Sequence, residues 1–153
     1  MSLGAASLVF SHASPPPDAV VLESMYPTIS EAVEDRIAIR LGPLGRSLSP
    51  LLLWQLPLRL GVTAEQLRPL DQIGSLKSPV LIASGTIDQH TPFGETQRIF
   101  AAANQPKELW PVQGAAHVDL HSFGPKMYEA KILSFLAKYL HPAKHGKQVQ
   151  DGA

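Results

Sequence analysis

The sequence contains no cysteine, has no net formal charge and includes no long apolar run. The lack of cysteine excludes a disulfide scaffold, a cysteine-ligated zinc site and a thiol nucleophile. A balance of 13 basic and 13 acidic residues gives no electrostatic reason to expect nucleic acid or an anionic membrane surface as a partner. No apolar stretch approaches the roughly 18 residues of a membrane span. The first residues also lack the basic start of a signal peptide, so we expect a cytoplasmic protein.

The composition is that of a folded domain. The chain has 153 residues, of which 44% are hydrophobic and 17% charged, enough for one domain with a substantial core. Three short apolar runs bounded by turn residues predict strands at 19–22, 80–83 and 108–112. Because helical patterns lie between them, we expect an α/β fold with a parallel three-stranded sheet and flanking helices.

Local signals predict where the helices begin and end. Thr28 and Glu31 form a Thr-x-x-Glu capping box, and Gly42 lies where that helix should end. Thr91 is predicted to cap a second helix, with Pro92 at its first position. A last helix is expected at about 125–140.

Three polar residues occupy positions suited to chemistry. Asp88 follows the second predicted strand, His117 follows the third, and Ser2 precedes an apolar, small-residue stretch. Loops at the carboxyl ends of parallel strands are where open α/β sheets place function. A serine hydroxyl needs a histidine to take its proton, and a carboxylate to orient that histidine. Each residue also has a simpler interpretation, since serine is a common helix cap and aspartate a common turn residue.

These residues lie in motifs that resemble a known family. "SLGAA" from Ser2 is similar to the S-x-G part of a nucleophile elbow, "GTIDQHTP" to an acid loop, and "GAAH" to a histidine loop. The order Ser, Asp, His is that of α/β-hydrolases. The chain therefore resembles the C-terminal half of an α/β-hydrolase of the serine-aminopeptidase or dienelactone-hydrolase-like type. The matching positions are Ser2, Leu3, Gly4, Gly85, Asp88, Thr91, Pro92, Gly114 and His117.

The resemblance implies a catalytic arrangement and a domain plan. Ser2 would be the nucleophile, Asp88 the orienting acid and His117 the general base, and the backbone N–H of Leu3 would serve the oxyanion hole. No cofactor or metal is implied. Residues 1–140 would be the C-terminal portion of the domain, with a cap-like helical insert at about 41–72, and 141–153 would be a flexible tail.

The resemblance also implies a partial fold. A complete member of the family has strands before the nucleophile. Here the leading glycine of the elbow is absent and Met1 occupies the position between it and Ser2, so we expect the N-terminal strands to be missing. The first strand would then have an unpaired edge, which a homodimer could cover.

The function predicted from these residues is a serine hydrolase acting on a small-molecule ester or amide. The alternative is an inactive truncated fragment or pseudoenzyme that serves as an interaction or structural module. A small α/β binding module unrelated to hydrolases is a more distant third. Substrate specificity is unknown, and the candidates for substrate contact are Tyr26, Trp54 and His90. His117 and His121 have a spacing that a metal could bridge on a helix, but no third ligand cluster accompanies them.

Overall fold

The computed structural model describes residues 16–42, 47–60, 64 and 67–140. In this part of the chain, helices alternate with three strands. The strands are β1 (Val20–Glu23), β2 (Val80–Gly85) and β3 (Lys107–Val112). The helices are α1 (Ile29–Leu41), α2 (Ser49–Trp54), α3 (Leu56–Leu60), α4 (Pro69–Gln72), α5 (Phe93–Ala102), α6 (Leu120–Phe123) and α7 (Pro125–Tyr139), with a 3-10 turn at Ile73–Ser75. None of the described helices has the length and apolar character needed to cross a bilayer.

The three strands form one parallel sheet, as the sequence predicts, and their order in the sheet is β1-β2-β3. Val80 of β2 is in register with Val20 on one side and with Lys107 on the other. Every residue of β2 is buried, which explains why this strand is a continuous apolar run rather than an alternating one. The observed strand bounds differ from the predicted ones by one or two residues. Because the strands are parallel, their carboxyl ends all lie at one edge of the sheet.

The main core lies between the sheet and the segments that precede β2 and β3. Its buried members are Leu22, Met25, Ile73, Leu76, Val80, Ile82, Ile99 and Ala103. They come from β1, β2, α5 and the 3-10 turn, so residues distant in sequence stabilise each other through burial of apolar surface. Because β2 packs in this core, the core also positions Gly85, where β2 ends and the acid loop begins.

Helix α1 begins and ends as its sequence predicts. Thr28 is its N-cap, and its Oγ1 accepts a hydrogen bond from the N–H of Glu31 at 3.1 Å. The Glu31 carboxylate accepts one from the Thr28 hydroxyl in turn, at 3.0 Å. Gly42 ends the helix with φ 69°, a conformation that favours glycine. Near its start, Ile29 packs in a second buried cluster with Tyr26.

The predicted cap of α5 is wrong. The helix begins at Phe93 and its N-cap is Pro92, not Thr91. Thr91 is held in the preceding loop instead: its hydroxyl, the group that a cap would use, donates to the carbonyl of Ser24, and its N–H donates to the side chain of Asp88 at 2.9 Å. The division into a cap-like insert at 41–72 and a domain over 1–140 stays a prediction, and the proposed tail at 141–153 lies outside the described residues.

Candidate functional site

Asp88 and His117 meet at the carboxyl edge of the sheet. The Oδ2 of Asp88 lies 2.9 Å from Nδ1 of His117. The Asp88 side chain is completely buried, whereas the His117 side chain is 35% exposed. The acid is thus shielded from water while the imidazole stays accessible. The sequence predicts both residues, and the structure brings them into hydrogen-bond contact across 29 positions.

The buried carboxylate is held by its own loop. Its second oxygen, Oδ1, accepts hydrogen bonds from the backbone N–H of His90 at 2.8 Å and of Thr91 at 2.9 Å. A buried charge needs such partners, because burial without them is costly. These bonds also fix the direction of the carboxylate, so Oδ2 has one orientation toward His117. The short Asp-x-x-Thr spacing is what allows both N–H groups to reach the same oxygen.

The acid loop and the histidine loop are bound directly to each other. The N–H of Ile87 donates to the carbonyl of Ala115 at 3.1 Å, and the N–H of Gly114 donates to Oγ1 of Thr86 at 3.0 Å. A Cβ placed on Gly85 would collide with the Ala115 carbonyl, so only glycine permits this approach. Gly114 itself has φ 74°. The glycines of both motifs therefore have a structural purpose, which is to bring two loops together.

The end of β1 joins the same assembly through Ser24, a residue that sequence reasoning did not single out. Ser24 has φ 43°, and its carbonyl accepts a hydrogen bond from the Thr91 hydroxyl at 3.3 Å. Its own hydroxyl oxygen is buried, with no hydrogen-bond partner among the described residues. Positive φ at a non-glycine residue is uncommon and concentrates at functional sites. No sequence pattern predicts a positive φ at a serine.

This geometry is suited to proton transfer. An ionised carboxylate only accepts hydrogen bonds, so Nδ1 of His117 must be the donor to Asp88. The other ring nitrogen, Nε2, then has the lone pair available to take a proton. The carboxylate also stabilises the imidazolium that forms when it does so. The pair can serve as an oriented general base, and afterwards as a general acid.

The remaining predicted site residues lie in different surroundings. Ser2 and Leu3 lie outside the described residues. Tyr26 is buried in the second cluster, where burial raises the pKa of its phenol and the charge of Arg36 opposes the rise. Trp54 is 68% exposed on α2. The ring of His90 is centred 5.0 Å from that of His117, so His90 is the substrate candidate placed beside the acid–base pair.

His121 has partners other than a metal. Its Nε2 lies 3.2 Å from a carboxylate oxygen of Glu129, and its ring meets Tyr128 edge-on at 5.3 Å. Tyr128 in turn donates to Glu23 at the end of β1 at 2.5 Å. Burial, followed by this hydrogen bond, raises the pKa of Tyr128 to about 12. Among the described residues, no group of three or more His, Asp or Glu side chains is placed to hold a metal ion.

Known proteins from two organisms are similar in sequence to this chain. An uncharacterized protein of Mycobacterium tuberculosis is 30% identical over 132 residues, which are 86% of this chain and 39% of that protein. The alpha/beta hydrolase domain-containing protein 17B of Xenopus laevis is 36% identical over 72 residues, 46% of this chain and 24% of that one. No protein-family model matches. The chain thus spans about two fifths of the length of the mycobacterial relative.

A solved esterase of Pyrococcus furiosus superposes on the chain with a TM-score of 0.63 and 18% identity. The superposition covers 90% of this chain and 51% of the esterase. The parallel sheet with its helices is therefore a partial α/β-hydrolase fold, as the motifs predict.

Proposed function

We propose that this chain is part of a serine hydrolase that cleaves esters through Ser2, Asp88 and His117. The observation that carries the proposal is the hydrogen bond between Asp88 Oδ2 and His117 Nδ1, at 2.9 Å, with the acid buried and the base accessible. If Asp88 were only a turn residue and His117 only a loop residue, no contact between the two side chains would be expected. Their contact, at the ends of adjacent parallel strands, is what a triad requires.

The reaction would follow the usual sequence of acyl transfer. His117 Nε2 takes the proton of the Ser2 hydroxyl as its oxygen attacks the ester carbonyl, and the Leu3 N–H donates to the resulting oxyanion. The tetrahedral intermediate collapses as His117 returns the proton to the departing alkoxide, leaving an acyl-enzyme. Water, deprotonated by His117, then attacks the acyl carbonyl, and the proton passes back to Ser2 as the carboxylic acid leaves.

An ester substrate is favoured over an amide by the comparison with a solved esterase. That likeness concerns the fold, so the substrate remains part of the proposal. The finer assignment to a serine-aminopeptidase or dienelactone-hydrolase-like type is also proposed only on the motifs around Ser2, Asp88 and His117.

The direct test is labelling with a fluorophosphonate probe, which forms a bond between phosphorus and an activated serine oxygen as fluoride leaves. We expect labelling of the native chain and its loss in Ser2→Ala and in His117→Ala. Ser134→Ala is the matched control, because Ser134 is exposed on α7. Ser24→Ala is a second comparison, since Ser24 has a strained backbone at the site.

The outcomes separate the proposal from its alternative. Loss of labelling in Ser2→Ala with retention in Ser134→Ala supports the proposed nucleophile. Loss in Ser24→Ala alone would instead move the nucleophile to the end of β1. A folded sample that shows no labelling would refute the hydrolase proposal for this chain and favour an inactive interaction module.

A further inference from the structure

A cavity of about 520 Å³ lies beside the acid–base pair, between α1 and the acid loop. Its described lining comes from the C-terminal half of α1 and from one residue of the acid loop: Arg36, Ile37, Ile39, Arg40, Leu41 and His90. Ligand sites usually have volumes of roughly 300–1,000 Å³. His90 connects the cavity to the candidate site, since its ring is centred 5.0 Å from that of His117. A molecule in this cavity would therefore lie next to the general base.

Most of the cavity wall is apolar. Ile37, Ile39 and Leu41 supply aliphatic side chains, and Ile39 and Leu41 are 46% and 61% exposed. Apolar surface left in water favours the binding of an apolar group that would cover it. An alkyl or acyl chain laid along this part of α1 would bury that surface.

The same wall contains two arginines that lie one helical turn apart on α1. Arg36 and Arg40 are four residues apart, so they are neighbours on one face of α1. Neither forms a salt bridge to a carboxylate of the described residues, in contrast to Arg68 with Asp71 and Arg98 with Glu31. Two like charges at this spacing repel each other mildly, and an anion between them would relieve the repulsion.

A third observation marks the end of the cavity nearest the dyad. Nδ1 of His90 is buried and has no hydrogen-bond partner among the described residues. A buried polar atom without a partner is costly, so this ring nitrogen has hydrogen-bonding capacity that the described residues leave unused. The cavity thus has the His90 ring beside His117, an aliphatic wall and two arginines.

We propose that this cavity binds an apolar chain bearing an anionic group, with the anion at Arg36 and Arg40 and the chain against Ile37 and Leu41. Resting on the proposed function, the preferred substrates are then esters whose acyl chain carries a carboxylate or a phosphate. Guanidinium groups bind both anions through paired N–H donors, so the two sources share one recognition chemistry.

The binding test does not depend on hydrolysis. Octanoate, octyl phosphate and 1-octanol share one alkyl chain and differ in the head group. We expect titration calorimetry to show that the native chain binds one or both anions at least about tenfold more tightly than the alcohol. Replacing both cavity arginines, Arg36→Gln with Arg40→Gln, should abolish this preference and leave octanol binding unchanged. Arg59→Gln is the matched control, because Arg59 is an exposed arginine of α3 that does not line the cavity.

Nuclear magnetic resonance locates the bound anion. We expect octanoate to shift the imidazole resonances of His90 and His117, and to leave those of His121 unchanged, because His121 pairs with Glu129 away from the cavity lining. Equal binding of anions and alcohol, or an anion preference that survives in the double arginine variant, overturns the proposal. A preference for octyl phosphate over octanoate would identify phosphate as the anion that the cavity recognises. A preference for octanoate would identify a carboxylate.

A matched pair of substrates extends the test to turnover. The 4-nitrophenyl monoester of glutaric acid and 4-nitrophenyl pentanoate have acyl chains of equal length, and only the first ends in a carboxylate. We expect a higher kcat/KM for the glutarate ester in the native chain and about tenfold loss of that advantage in the double arginine variant. Anion binding without fluorophosphonate labelling would refute the hydrolase proposal and leave the binding site supported. Labelling without a preference for anions would support the hydrolase proposal and refute the anion-binding site.

Discussion

Gly85 and Ala115 approach each other so closely that no side chain fits between them. Gly85 is the last residue of β2, and a Cβ at that position would meet the carbonyl oxygen of Ala115, in the loop that leads to His117. Since the obstacle is backbone rather than a flexible side chain, the loops would have to separate to admit even a methyl group. The contact between Asp88 and His117 depends on this approach, because the two loops hold the acid and the base.

We expect Gly85→Ala to lower the free energy of unfolding by about 3 kcal/mol or more, through overpacking against fixed backbone. Urea unfolding followed by circular dichroism measures the change. The matched control is Gly94→Ala, since a Cβ at Gly94, near the start of α5, meets nothing within 4 Å. There the lower backbone entropy of alanine should raise stability by about 0.5–1 kcal/mol. Equal effects of the two substitutions would contradict the close approach.

Asp88→Asn should separate the orienting role of the carboxylate from its bulk. The amide keeps the size of the side chain but presents an NH₂ group and removes the charge that stabilises the His117 imidazolium. We expect the rate of fluorophosphonate labelling to fall about 10⁴-fold, the scale of this change in other triads. Asp71→Asn is the control, because Asp71 is a half-exposed partner of Arg68 on α4. A labelling rate that survives in Asp88→Asn would show that His117 works without this acid.

Glu95 should make the stability of the fold depend on pH. It lies in the first turn of α5, where burial, then the nearby charges of Asp35 and Glu31, raise the pKa of its carboxyl from 4.5 to about 8. The folded state thus holds a proton that the unfolded chain releases, so this stabilising contribution is complete below pH 4.5 and is lost as the pH rises to about 8. Above that pH the folded protein must hold an ionised Glu95 among other carboxylates.

The test is Glu95→Gln, which keeps the shape of the protonated acid and cannot ionise. We expect the variant to match the native chain near pH 4.5 and to exceed its stability by about 1–2 kcal/mol at pH 9, allowing for solvent screening of a half-exposed group. Glu34→Gln, on the neighbouring helix α1, is the comparison. A stability difference between Glu95→Gln and the native chain that does not change with pH would rule out this titration.

The edge of β1 that faces away from β2 has no partner strand among the described residues, and we expect it to govern self-association. In the described part of the chain β1 pairs with β2, and the N–H groups of Val20 and Ser24 donate toward it. Backbone groups alternate along a strand, so the N–H of Val21 points to the opposite edge. We propose that a second copy of the chain pairs there, since an uncovered edge is a template for another strand.

Val21→Pro removes that outward donor while sparing the bonds to β2, so we expect it to abolish concentration-dependent dimers in sedimentation velocity. Val20→Pro is the matched control, because it removes the hydrogen bond to Pro79 and should destabilise the fold itself. Circular dichroism establishes which variant remains folded. A native chain that stays monomeric at high concentration would exclude this dimer.

The sequence predicts features that short-range chemistry determines. The short apolar run at 80–83, between Pro79 and Gly85, indicates a strand buried on both faces, and Thr28 with Glu31 indicates a helix start. The pairing of Asp88 with His117 was also within reach, because both follow parallel strands and the family motifs identify them.

Features that depend on long-range packing were not predictable in this way. The sequence around Thr91 is typical of a helix cap. Only the folded chain brings its hydroxyl and its N–H to Ser24 and Asp88 instead. The hydrogen bond between Tyr128 and Glu23 spans 105 residues, and nothing local in either segment indicates it. The arginine pair on α1 has no local sequence signature, because only the folded chain brings Arg36 and Arg40 to the same cavity as His90.

The acid and the base both belong to a single strand–helix–strand crossover. From Gly85 to His117 the chain leaves β2, passes through α5, returns along β3 and closes on itself through the loop contacts described above. Under the proposed function, the acid and the base therefore come from one continuous segment of the chain, and the nucleophile comes from another. The hydrogen bond between Asp88 and His117 is then held by loop contacts within the crossover, which do not involve the segment that contains Ser2.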